Sequence, residues 1–253
     1  MPSRFYVSDL PNRQAISLPH AFSLPVAVSH HLDRVLRLKE GEAIVLFDGQ
    51  GGEWLADIVQ LGKQVQVSLR DFMPVEREIP PRVTLVQSLA SGDKMDWIVQ
   101  KAVELGVAAI QPIAAERSVL KLSGDRATKR QQHWQDIAIS ACEQCGGNRI
   151  PEVLPVMEWS RWLAQSAQED YAVRWILDPL ESQTLSQQTV ITAAQPDAKV
   201  AVLIGPEGGF SPKELEQARQ AGCQALRLGQ RILRTETAGL TVLAALSLLT
   251  GEF

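Results

Sequence analysis

Apolar positions follow two different rhythms along the chain. Over roughly the first 72 residues the runs are short and strand-like. Residues 43–47, Ala-Ile-Val-Leu-Phe, form a compact apolar run that ends at Asp48-Gly49, a strong turn pair. Two more strands are predicted over 53–59 and 64–69, where Val65, Val67 and Leu69 alternate with polar residues. A short helix is predicted over 30–37, with Ser29 placed to cap it and Gly41 beyond its end. Short strands interrupted by one helix predict a small barrel over residues 1–73. Pro74, Pro80 and Pro81 then bracket a charged stretch that continues neither sheet nor helix, so 74–81 reads as a linker.

From residue 82 to residue 253 the rhythm changes to alternating strands and helices. Strands are predicted over 83–86, 107–113, 172–177, 200–204 and 224–228. Helices are predicted over 93–105, closed by Gly106, and over 127–145, closed by Gly146-Gly147. Another starts at Ser211-Pro212-Lys213-Glu214, where Ser211 and Glu214 have capping-box spacing and Pro212 sits at the first helical position. A final helix over 236–249 is apolar almost all round, as a helix buried in a core or against another subunit would be. Strand–helix alternation implies a parallel α/β sheet. The Gln- and Ser-rich stretch 182–188 reads as an exposed loop or a fraying helix.

Composition narrows the class. The 253-residue chain is 45% hydrophobic and 21% charged, which excludes a disordered polymer. It has no apolar run of about 18 residues, so no membrane helix is expected. Met1 to Asn12 lacks the apolar stretch of a secretory signal, and three cysteines are too few for a disulfide framework. A cytoplasmic protein is therefore expected. The net charge is −4, with 8 basic and 10 acidic residues up to Glu78 and 17 and 19 after it. Neither part is a basic module, so strong non-specific affinity for nucleic acid is not expected. Selective, salt-sensitive binding through a few placed arginines remains compatible with that balance.

Two segments carry most of the candidate chemistry. In Val202-Leu203-Ile204-Gly205-Pro206-Glu207-Gly208-Gly209-Phe210-Ser211 a buried strand enters a glycine-rich turn and then a well-marked helix. In Leu228-Gly229-Gln230-Arg231-Ile232-Leu233-Arg234-Thr235-Glu236 a strand again leaves through a glycine and enters a helix. A tight connection alone would explain either, with Thr235 as a helix cap. Two such loops at strand carboxyl ends, where open α/β sheets bind ligands, point to a site. The first is neither a dinucleotide-binding nor a phosphate-binding fingerprint.

These two loops together resemble the RsmE family, bacterial methyltransferases that modify N3 of a uridine in 16S rRNA. Further matches are Gln100-Lys101-Ala102-Val103-Glu104-Leu105-Gly106, Glu116-Arg117-Ser118, and Ala141-Cys142-Glu143-Gln144-Cys145-Gly146-Gly147-Asn148-Arg149. Arg4-Phe5-Tyr6, Arg34-Val35-Leu36-Arg37 and Leu46-Phe47-Asp48-Gly49 fit as well, so the resemblance spans nearly the whole chain. Where the family usually has an arginine, this chain has Gly147. The resemblance implies an N-terminal PUA-like β-barrel that binds RNA and a C-terminal SPOUT α/β methyltransferase domain with a trefoil knot. It also implies a homodimer, with S-adenosyl-L-methionine bound in the knot and 16S rRNA of the small ribosomal subunit as partner.

On that basis the expected cofactor-binding residues are Leu177, Pro179, Leu203, Gly205, Pro206, Gly208, Leu228, Gly229, Ile232 and Leu233. Glu207 or Glu236 would accept the uridine proton, and Arg231 or Arg234 would stabilise the developing anion or grip a phosphate. RNA contacts are expected from Arg4, Arg34, Arg37, Lys94, Lys101, Arg117, Lys121 and Arg149. Cys142 and Cys145 have helical spacing and no second ligand pair, so no metal is expected. His30-His31 is expected on a helix surface. Two rival functions are a non-catalytic dimeric RNA-binding protein and a SPOUT methyltransferase with a different RNA target.

Overall fold

The structure is a computed structural model and describes residues 2–185 and 198–251. Part of the loop expected over 182–188 lies outside the described residues. The chain divides into two compact units: Met1–Arg77 with Cys142–Ile150, and Glu78–Ala141 with Pro151–Phe253.

The first unit is built on a five-stranded mixed sheet of β1 (Ser3–Tyr6), β2 (His20–Ser23), β3 (Ala43–Phe47), β4 (Glu53–Gln60) and β5 (Gln66–Met73), in the order β1-β3-β4-β5-β2. β1 pairs parallel with β3, and the other neighbours are antiparallel. Strand β5 runs to Met73, beyond its predicted end, because Phe72 and Met73 pair with Trp54 and Glu53 of β4. Leu24, Leu32, Ile44, Leu46 and Leu69 are fully buried in its core. Burying each such side chain contributes about 1.5–3 kcal/mol.

The helix of this unit differs from its prediction. α1 spans Val26–His30 and continues directly into a wider π-type turn, His31–Val35. Ser29 is not its cap. The Ser29 hydroxyl is fully buried, donates to Leu24 O and accepts from Val65 N, so it joins the helix to the sheet.

A buried carboxylate organises the same unit. Glu53 is 4% exposed and accepts from Arg4 Nη1 at 2.6 Å and from Arg77 Nη1 at 2.9 Å. Arg4 also donates to Asn148 Oδ1 at 2.6 Å and to the Gly146 carbonyl at 3.2 Å. Burial would raise the Glu53 pKa, but hydrogen bonds and charge from Arg77 and Arg4 outweigh it and hold the carboxyl at about 2, against an ordinary 4.5.

The second unit is an all-parallel sheet. Its strands are β6 (Arg82–Ser88), β7 (Ala109–Ala114), β8 (Glu152–Val153), β9 (Met157–Glu158), β10 (Val173–Leu177), β11 (Lys199–Ile204) and β12 (Gln224–Leu226). They run in the order β12-β10-β11-β6-β7-β8, with β9 also pairing β7. The helices are α2 (Lys94–Glu104), α3 (Gly124–Cys145), α4 (Trp159–Ser166), α5 (Pro212–Gln220) and α6 (Thr235–Thr250). β11 is buried along nearly its whole length, as a central parallel strand must be. The last turn of α3 belongs to the first unit. No described helix is long and apolar enough to cross a membrane.

A depressed carboxyl pKa stabilises above its unfolded value and loses that contribution as pH falls through the folded value. For Glu53 that window runs from about pH 4.5 down to about 2. The contribution is about 2–3 kcal/mol once screening of the half-exposed Arg77 is allowed for. Glu53→Gln is expected to lower stability at pH 7 by that amount and to cost much less near pH 2. Urea melts of both proteins at each pH check this; an equal loss at both would contradict it.

Candidate active site

Because β6, β10, β11 and β12 are parallel, their carboxyl ends lie on one edge of the sheet. The loops leaving them enclose a cavity of about 380 Å³. This is the edge where open α/β sheets place ligands. Apolar walls come from Leu177, Pro179, Leu226, Leu228 and Leu233, and the floor includes Ile204 and Gly205.

The two glycine loops are held together by side-chain hydrogen bonds. Thr235 is not a helix cap, since Arg234 occupies that position and α6 begins at Thr235. Its hydroxyl donates to the Gly205 carbonyl at 2.6 Å and accepts from Gln87 Nε2 at 2.9 Å. Gln87 is the penultimate residue of β6 and also donates to Ser88 O. One chain of bonds thus spans β6, the loop after β11 and the start of α6. Two glycines permit it sterically. A Cβ at Gly205 would stand 3.0 Å from Phe210 N, and one at Gly239 would stand 2.9 Å from Leu85 Cδ1. The helix beyond the first loop starts on a capping box: Ser211 Oγ accepts from Glu214 N, and Glu214 accepts from Ser211 N.

The charged groups are arranged unequally. Glu207 Oε1 accepts from Ser91 N at 3.0 Å, Ser91 Oγ at 2.7 Å and Lys94 Nζ at 3.0 Å. Burial would raise the Glu207 pKa, yet these donors, with Glu207's own N–H, hold it at about 2. Glu236 Oε2 is buried without a hydrogen-bond partner, and Lys94 Nζ stands 3.9 Å away. The side chains of Arg231 and Arg234 are exposed at the lining and make no hydrogen bond among the described residues.

Glu207, Arg231, Arg234 and Glu236 all line this one cavity, as do Leu177, Pro179, Gly205, Pro206, Leu228, Ile232 and Leu233. Leu203, Gly208 and Gly229 are not among the lining residues; Leu203 is wholly buried inside the sheet. Lys94 lines the cavity, and Lys101 pairs with Glu104 at 2.7 Å. Arg117 donates to Gly208 O at 3.0 Å and so braces the first loop. Arg149 meets Glu76 through two nitrogens. Arg4 is 12% exposed and engaged with Glu53, Gly146 and Asn148, whereas Arg34, Arg37 and Lys121 are exposed. Among the described residues no cluster of three His, Cys, Asp or Glu is placed to hold a metal.

Sequence reasoning missed Ser91, Gln87 and Arg227. Arg227 lines the cavity with its Nε buried and unpartnered. Ser91 and Gln87 sit where β6 ends, an edge without the glycine-rich signature of the loops after β11 and β12.

Comparison with known proteins gives this edge a lineage. Residues 77–247 match an RNA methyltransferase domain, and residues 24–69 match an RNA methyltransferase PUA domain. The chain is 32% identical to ribosomal RNA small subunit methyltransferase E of Bacillus subtilis, over 96% of this chain and 95% of that one. Its structure is similar to ribosomal RNA small subunit methyltransferase E of Neisseria gonorrhoeae bound to S-adenosyl methionine, with a TM-score of 0.86, 37% identity and full coverage of both chains. A Legionella pneumophila methyltransferase in complex with the same cofactor gives a TM-score of 0.88 at 35% identity, covering 99% of this chain and 98% of that one. Fold and loops are thus those of an RNA methyltransferase. The chain belongs to the ribosomal RNA small subunit methyltransferase E family.

Replacing Thr235 by Val removes the donor to Gly205 and leaves Gln87 Nε2 with one fewer acceptor. The expected cost is about 1–3 kcal/mol of stability in the second unit. Calorimetric melting of Thr235→Val against wild type checks this, and an unchanged melting temperature would remove the bond from its structural role.

Proposed function

We propose that the protein methylates N3 of a uridine in 16S rRNA of the small ribosomal subunit, with S-adenosylmethionine as methyl donor. The carrying observation is the cavity between two glycine loops at the strand carboxyl ends, in a chain that matches rRNA methyltransferases from end to end. The cavity's chemistry fits the cofactor. Leucine and proline walls and close main chain suit a nucleoside, while two carboxylates at the same cavity suit a cationic sulfonium. When bound, the cofactor supplies an electrophilic methyl group on sulfur.

The protein's own part is to hold the uracil and take its imide proton. Glu207 is a weak base because three donors satisfy one of its oxygens. Glu236 offers a buried oxygen that no donor satisfies, so it is the better proton acceptor. Arg231 and Arg234, exposed beside it, suit the flanking phosphates. Arg34, Arg37, Lys101, Arg117, Lys121 and Arg149 are the further candidates for RNA contact, with Arg4 acting chiefly within its own unit.

Family resemblance supports the finer reading: residues 1–73 as a PUA-like barrel, 82–253 as a SPOUT domain with a trefoil knot, and a cytoplasmic homodimer. Leu248 and Leu249 of α6 are 64% and 45% exposed, an apolar surface that a second copy would cover. Light scattering at micromolar concentration is expected to give the dimer mass.

The decisive assay is labelled S-adenosylmethionine with purified 30S subunits, naked rRNA and tRNA, followed by nucleoside analysis. 3-Methyluridine in 16S rRNA is expected. Product on tRNA alone would mean a different target, and no product on any RNA would favour a non-catalytic binding protein. In the same assay Glu236→Gln is expected to lower kcat by about 100-fold or more, and by more than Glu207→Gln. The reverse order would reassign the base.

A further inference from the structure

Methylating N3 leaves a second problem besides the proton. As N3–H breaks, its electron pair stays on the uracil ring and spreads onto the two carbonyl oxygens flanking N3. That charge develops in a cavity already holding two carboxylates, so it needs a fixed positive group.

Lys94 opens α2 and reaches into the lining of the cavity, with its side chain 31% exposed. Its Nζ lies 3.0 Å from Glu207 Oε1 and 3.9 Å from Glu236 Oε2. Glu207 is itself fastened by Ser91, three residues before Lys94, through both N–H and Oγ–H. The anchor is therefore rigid, and it sets where the ammonium stands. An ammonium has three donors. Glu207 takes one, and the 3.9 Å distance to Glu236 is too long for a second hydrogen bond. Arg231 and Arg234 lack such an anchor and are exposed.

We propose that Lys94 is a catalytic residue whose ammonium hydrogen-bonds a uracil carbonyl oxygen beside N3 and stabilises the anion formed when the N3 proton passes to Glu236. Glu207 and Ser91 are then positioning residues. The balance closes: the N3 proton goes to the Glu236 carboxylate, the electron pair remains on the ring, and N3 uses it to form the new N–CH3 bond while the bond from that methyl to the sulfur of S-adenosylmethionine breaks, its pair staying on sulfur in the neutral thioether that leaves. Lys94 gives up no proton. This assignment rests on the uridine-N3 reading above and narrows the RNA contact expected of Lys94 to the uracil base.

The test uses the full-length wild type, Lys94→Met and Lys94→Arg on the RNA that the assay above finds active, transcribed with uridine or with 5-fluorouridine. Fluorine makes the N3–H more acidic and the anion less demanding. Lys94→Met is expected to lower kcat on uridine RNA by about 100-fold. Its calorimetric Kd for S-adenosylmethionine and its KM for RNA should stay near wild type, and Lys94→Arg should retain more activity than Lys94→Met. 5-Fluorouridine should raise the kcat of Lys94→Met by about tenfold more than that of wild type. Unchanged kcat overturns the proposal, as does a higher KM for RNA at constant kcat, which marks a phosphate contact. An equal loss on both RNAs, or a lost affinity for S-adenosylmethionine, overturns it as well by marking a structural role. If wild type forms no 3-methyluridine, the uridine-N3 reading falls and this assignment falls with it. A failure confined to Lys94→Met leaves that reading standing.

Discussion

The site depends on one hydroxyl, that of Thr235. The Gly205 carbonyl lies beyond the end of β11, outside the ladder that satisfies the strand's own backbone groups. Thr235 supplies it with a donor and in turn accepts from Gln87, at the end of a neighbouring strand. Three segments far apart in sequence are thereby fixed at hydrogen-bond distance. The close approach of α6 to β6 at Gly239 is the packing counterpart of the same constraint. Walls carried on backbone that is already fixed lose little conformational freedom when a ligand enters, which is the physical meaning of preorganisation.

Within those walls, two carboxylates of the same chemical type are given different work by their donors. One oxygen of Glu207 takes three donors from Ser91 and Lys94, and its carboxyl is held at about 2, so it is charged at any ordinary pH. Glu236 keeps an unsatisfied buried oxygen. Both kinds of group are needed: a fixed charge to orient a cation, and an available oxygen to receive a proton. Giving two carboxyl groups different sets of donors is one route to separate roles.

Much of this could be read from local pattern. The compact apolar run 43–47 marks β3, the alternation of Val65, Val67 and Leu69 marks β5, and the glycine loops after β11 and β12 mark the cavity's edge. The capping box at Ser211 is a four-residue signal and appears as such in the structure. What escaped was either too short or too distant. β8 and β9 are two residues each, below any periodicity. Ser29 looked like a cap because caps are local, yet its partners are Leu24 and Val65. Arg4 looked like a surface cation because its acceptors lie 49 and 144 residues downstream. Lys94 and Lys101 share a helix face by count, but only the fold shows that one meets the loop carboxylates and the other a neighbour on its own helix. At Gly147, where the family usually has an arginine, the carbonyl accepts weakly from Arg4 at 3.4 Å, and the missing side chain leaves the Cys142 and Cys145 sulfurs as nearest neighbours.

The Glu53 cluster has a consequence for the order in which the molecule is made. Its first unit looks N-terminal, yet Gly146 and Asn148 supply acceptors to Arg4, and the whole of Cys142–Ile150 belongs to that unit. A nascent chain halted after Arg77 has both arginines and the carboxylate but lacks the segment that encloses them. Domains of a growing polypeptide usually finish folding in sequence, amino-terminal first. Here the sheet and core of the amino-terminal unit are complete by residue 73, but its charge cluster lacks the Gly146 and Asn148 acceptors until that later segment has left the exit tunnel of the ribosome that is making it.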